Sequence, residues 1–179
     1  MQTSWKIFAA GALAPLSVSV YATTYLSVSQ AQAQIFPGAI MSEIALTLSD
    51  EQAREIERAS GVDVRNRQLA AWRTAAGDWF LVDEVVGKHE FITFALGITR
   101  EGAVKQVEIM EYRESYGHEV RNEAWRKQFV GKTAAQPVKL TRDIENIGGA
   151  TLSSKNVTNG VRRLLFTWNT VLKKLGGGS

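Results

Sequence analysis

The residues best suited to chemistry lie in one short run near the end of the chain, Gly148-Gly149-Ala150-Thr151-Leu152-Ser153-Ser154. Two glycines let the backbone turn where a side chain would clash, and let a bulky ligand come close. The turn presents the hydroxyl of Thr151 just ahead of a helix expected over 154–175. The first N–H groups of a helix have no partner within it and point back along the chain, which suits a phosphate. A hydroxyl beside such a site suits a phosphoester. The same residue types also make an ordinary helix entrance, where Ser or Thr satisfies the free N–H groups and nothing more.

This run resembles the FMN-binding domain family, which includes flavin-carrying subunits of the Rnf complex and of the sodium-pumping NADH:quinone reductase. Gly149, Ala150, Thr151 and Ser153 match the family's Ser/Thr-Gly-Ala-Thr-x-Ser/Thr motif. The resemblance implies FMN joined through its phosphate to Thr151 by an ApbE-type flavin transferase, with FAD as the FMN source. It implies a cofactor-binding set of Glu145, Gly148, Gly149, Ala150, Thr151, Ser153 and Ser154. Two positions depart from the pattern: Gly148 stands where Ser or Thr is usual, and Glu145 where Asp is usual, with Asp143 two residues upstream. The acceptor hydroxyl survives both departures.

The resemblance adds Tyr116-Gly117, in a turn that would border the flavin ring, where Tyr116 could stack on it in offset geometry. Lys88-His89-Glu90 reads as a solvated turn, with a proton relay as the functional alternative because His titrates near neutrality. Trp79 and Phe80 read as core. Arg162-Arg163 reads as a solvated helix face, with phosphate contact as the alternative. No residue is assigned a catalytic role and none a metal-binding role. Thr151 has no evident base beside it, and the Gly-rich turn lacks the Gly-Lys-Ser/Thr of a P-loop.

Composition narrows the choices. The chain of 179 residues contains no Cys and two His. That excludes disulfides, thiol catalysis and iron–sulfur clusters, so redox chemistry here would need an organic cofactor. Setting aside residues 1–33 removes Lys6 and no acid, so the net charge of +3 becomes +2. A nucleic-acid partner would want a dense basic face, and none is expected. Lys6 is followed by no charge until Glu43, and residues 7–29 are mostly apolar or small. Residues 1–33 therefore read as a signal peptide cleaved at Ala31-Gln32-Ala33, or as a retained N-terminal membrane anchor. Either reading puts the remainder in the periplasm or on the extracytoplasmic face of the membrane.

The elements that must position Thr151 follow from periodicity. Strands are expected at 39–46, 68–74, 78–86, 90–98 and 104–112. A helix opens with Ser49-Asp50-Glu51-Gln52 and ends at Gly61. A short helix is expected at 122–129. In the last helix Val157, Val161, Leu164, Leu165, Trp168, Val171, Leu172 and Leu175 form one apolar stripe. The fold class is α+β: an antiparallel sheet with one covered face, packed by helices, with a long C-terminal amphipathic helix. The FMN-binding domain is expected over 34–175, with a flexible tail at 176–179. The expected function is an exported electron-transfer flavoprotein with a membrane redox partner. The alternative is a periplasmic binding or sensory module of the same fold without covalent flavin.

Overall fold

A computed structural model describes residues 23–113 and 116–176. Six antiparallel strands form one sheet in the order β1-β6-β5-β4-β3-β2. They are β1 (Thr23–Thr24), β2 (Met41–Thr47), β3 (Gln68–Thr74), β4 (Trp79–Val86), β5 (Phe91–Ile98) and β6 (Val104–Tyr112). Strands β3 to β6 follow one another as hairpins because each run of apolar, β-branched and aromatic residues ends in a turn. Gly77 and Gly102 occupy two of these turns with φ of 93° and 89°, a region that side chains rarely adopt.

Helix α2 (Asp50–Ser60) opens on the expected capping box. The Ser49 hydroxyl accepts from the Gln52 N–H at 3.1 Å, and the Ser49 N–H donates to Gln52 Oε1 at 2.8 Å. It closes on Gly61 in the left-handed region. The expected helix at 122–129 is instead two short pieces, helix α3 (Glu123–Arg126) and a 3₁₀ turn at Lys127–Phe129, and another 3₁₀ turn at His118–Arg121 precedes them.

The last helix, α4 (Thr151–Thr167), continues through a π turn at Trp168–Leu172 into α5 (Lys173–Gly176). Its stripe of Val157, Val161, Leu164 and Leu165 is buried against Leu81, Phe94, Leu96, Ile98 and Val107 of the sheet. Gly160 allows the close approach. A Cβ there would sit 2.8 Å from both Val85 Cγ1 and Phe94 Cζ. Trp79 and Phe80 are core, as expected, but on opposite sides of the sheet.

That second side is where the fold departs from expectation. The sheet is covered on both faces, because α1 (Val28–Ile35) lies across the face opposite α4. Ala31, Ile35 and Phe36 are buried there with Phe80, Ala95 and Met110. Gly97 in β5 makes the contact possible: a Cβ at that position would overlap Ile35 Cγ2. Just upstream, Thr23 and Thr24 pair with Tyr112 and Glu111 of β6. The Tyr25 N–H donates to the Met110 carbonyl at 2.8 Å. Residues 28–33 of α1 fall inside the apolar run that reads as a leader, so the sequence predicts no helix there. Most of that run, residues 1–22, lies outside the described residues, as do Gly177, Gly178 and Ser179 of the tail.

Candidate functional site

Helix α4 begins at Thr151 itself, three residues earlier than its apolar stripe suggests. The reason is local: the Ala150 carbonyl accepts both the Ser154 N–H at 2.8 Å and the Ser154 hydroxyl at 2.9 Å, so the helical pattern starts there. Ala150 has no side-chain oxygen and makes no side-chain cap. A Ser- or Thr-capped entrance, the bland alternative for this run, is thus not what forms. The N–H groups of the first turn are left for something else to satisfy.

The approach to that turn is open. Gly149 has φ of 83°, where any other residue would be strained. A Cβ placed on Gly148 or on Gly149 would meet nothing within 4 Å. Thr151 is exposed, and its Oγ1 accepts from Asn146 Nδ2 at 3.1 Å. Beside it lies a cleft of about 540 Å³, lined by Glu119, Trp125, Gln128, Asn146, Ile147 and Gly148 among others. That volume falls within the roughly 300–1,000 Å³ of ordinary small-molecule sites. An uncapped helix start, an open glycine turn, one surface hydroxyl and an adjoining cleft all fit a phosphate-bearing ligand.

The other hydroxyls of the run face inward. Ser153 is 4% exposed and Ser154 is fully buried. The Ser153 hydroxyl meets the Tyr112 hydroxyl at 2.9 Å, and Tyr112 also donates to the Tyr116 carbonyl. Tyr112 was not singled out from the sequence, because on a strand it reads as core. It is the link that brings the 116–117 turn to the start of α4. Tyr116 is 83% exposed, so its ring stands free in solvent, whereas Gly117 is buried.

Gly117 has φ of 95°, and an added Cβ would lie 2.5 Å from Tyr112 Oη and 2.6 Å from Ser153 Oγ. Gly117→Ala is therefore expected to cost about 2–3 kcal/mol, combining left-handed strain and overpacking. At this chain length that is a fall of roughly 5–10 °C in thermal midpoint. An unchanged midpoint by calorimetry would show that the turn is not held as described.

Glu145 contributes its backbone. Its N–H donates to Gln128 Oε1 at 2.8 Å, and its carbonyl accepts from Trp125 Nε1 at 2.8 Å. These bonds tie the strand-like run before the glycines to the 118–129 segment, which forms the far wall of the cleft. Upstream, Asp143 accepts from the N–H groups of Val138 and Lys139 and pairs with Lys132 at 3.2 Å. Burial raises the Asp143 pKa, but these donors and the Lys132 charge outweigh it and hold the carboxyl below its usual range.

Arg162 and Arg163 are not a solvated face. Both are buried, at 9% and 7% exposure. Arg162 donates to the Val138 carbonyl at 3.2 Å, and burial pushes its pKa down. Arg163 pairs with Asp83 at 2.6 Å and donates to the Asp63 carbonyl at 3.0 Å. Two adjacent arginines look solvated by type, yet the long side chains reach Asp83 on β4 and the loop carbonyls of Asp63 and Val138. His89 lies exposed in the turn between β4 and β5. It is outside the group of residues gathered at Thr151.

Residues 87–165 match the FMN-binding domain family. That stretch runs from the turn before β5 to Leu165 and holds every candidate site residue, so the match supports a flavin-binding role for this part of the chain. No curated protein matches the chain.

Proposed function

We propose that the domain carries FMN covalently, through a phosphoester to Thr151, and works as an electron carrier. The observation that supports this most directly is the surface hydroxyl of Thr151 on the first residue of an uncapped helix, beside an open cleft. Bound flavin accepts one or two electrons, so it couples two-electron donors to one-electron acceptors. The chain's own part is to hold the phosphate on the first-turn N–H groups of α4 and the Asn146 amide. The cleft walls of Trp125 and Ile147 give the ring an apolar side. Attachment would be made by an ApbE-type flavin transferase. The Thr151 hydroxyl oxygen attacks the FMN phosphorus of FAD, the bond between the two phosphates breaks, AMP leaves, and the hydroxyl proton passes to a base of the transferase.

The proposed location is the periplasm or the extracytoplasmic face of the membrane, with a membrane redox protein as donor. The apolar run after Lys6 supports export. No helix among the described residues is long and apolar enough to cross a membrane. Intact mass of the chain exported alongside a flavin transferase tests the proposal. A gain of one FMN, mapped by fragmentation to Thr151, is the expected result. An unmodified chain would favour a binding or sensory module of this fold, a reading that rests on Gly148 and Glu145.

The Gly148 departure can be tested separately. Gly148→Ser meets open space and needs no left-handed backbone, so stability should change by no more than about 0.5 kcal/mol. Attachment by the transferase should be faster in this variant, because the Ser completes the motif. Equal initial rates of flavin incorporation would remove Gly148 as a determinant.

A further inference from the structure

We infer that the mature domain begins at Thr23: a signal peptidase hydrolyses the Ala22–Thr23 bond, and residues 23–36 stay as an N-terminal clasp on the sheet. This inference rests on the export reading above.

The clasp is built to fit the rest of the molecule. Helix α1 carries a complete capping box, with the Ser27 hydroxyl accepting the Gln30 N–H at 3.2 Å and Gln30 Oε1 accepting the Ser27 N–H at 2.8 Å. Ala31 is fully buried, and Ile35 is 1% exposed. The match extends to distant residues: Gly97 lacks the Cβ that would overlap Ile35, and Lys105 stands 4.4 Å from the Phe36 ring centre. Arg121 stacks on Tyr25, with Cζ 3.5 Å from the ring centre. A leader removed before folding has no reason to be complementary to the domain it leaves.

The clasp also adjoins the flavin site. Thr23 pairs with Tyr112, whose hydroxyl joins the Tyr116 carbonyl to Ser153 at the start of α4. A cut after Ala33 would remove β1 and most of α1, and with them the edge pairing that steadies Tyr112. A cut after Ala22 keeps both β1 and α1.

The sequence supplies a suitable bond. Val20-Tyr21-Ala22 places small residues one and three positions before Thr23.

The experiment is expression of the full chain in a bacterium with general secretion. It is followed by fractionation, and by intact mass and N-terminal sequencing of the chain in each fraction. The expected result is an extracytoplasmic chain starting at Thr23. Ala22→Leu should block the cut, and Ala33→Leu, at an exposed position of α1, should leave it unchanged. An extracytoplasmic chain starting at Gln34 overturns the inference and spares the export reading. So does an uncut chain held in the membrane with its domain outside. An uncut chain in the cytoplasm overturns both, and its location tells this outcome from the others.

Discussion

Thr151→Val is expected to abolish covalent flavin while leaving the domain folded. The side chain is exposed and makes one hydrogen bond, from Asn146 Nδ2. Losing that bond at the surface should cost about 0.5–1 kcal/mol. Valine keeps the shape and the β-branch, so the entrance to α4 should hold, fastened by the Ser154–Ala150 and Ser153–Tyr112 bonds. Attachment, by contrast, is all or none, because the oxygen that would join the phosphorus is gone. Ser153 and Ser154 cannot replace it without unwinding the first turn, since both are buried and bonded within the protein. The measurement is flavin absorbance of the denatured, desalted chain after exposure to the transferase, with circular dichroism as the folding control. Flavin remaining on the folded variant would place the acceptor elsewhere.

The second large effect belongs to the N-terminal clasp. A chain beginning at Gln34 lacks β1, the helix cap and the buried Ala31, and it loses the helix that aims Ile35 and Phe36 at the sheet. Phe80, Ala95 and Met110 would then meet water. With about 1.5–3 kcal/mol for each large apolar side chain uncovered, the loss should be on the order of 4 kcal/mol. That is a large share of the roughly 5–15 kcal/mol that holds a domain folded. A chain beginning at Thr23 keeps every one of these contacts and serves as the reference. Urea unfolding of the two chains decides it: equal midpoints would mean that α1 rests on the sheet without holding it together. Because this comparison uses purified chains, it stands whether or not the protein is exported.

Much of this was legible in the sequence, and the legible parts share a cause. Ser49 and Gln52 make a capping box across three residues, and Gly61 ends the same helix. The apolar stripe of α4 repeats with the helical period. Alternation in 104–112 marks a strand with Val107 and Ile109 on the face that α4 covers. Each is a local rule in which neighbouring residues decide the outcome. The glycine turn and Thr151 were legible for the same reason, as a short motif.

The parts that were not legible depend on partners far away in the chain. Tyr112 reads as a strand residue until Gly117 and Ser153 arrive beside its hydroxyl. Asn146 is one more polar loop residue until the turn folds it back on Thr151. The arginines of α4 look solvated until Asp83 of β4 and Val138 of a distant loop close over them. Residues 28–35 look like the end of a leader until Gly97, which gives no hint by itself, leaves room for Ile35.

Period, caps and a short motif, all written in adjacent residues, suffice for the antiparallel sheet, the long closing helix and the Thr151 hydroxyl at the glycine turn. Packing across the chain leaves Thr151, and not Ser153 or Ser154, at the surface, and it lays α1 on the face of the sheet opposite α4. Exposure and docking are set by what packs alongside, and the residues that pack alongside lie scores of positions away.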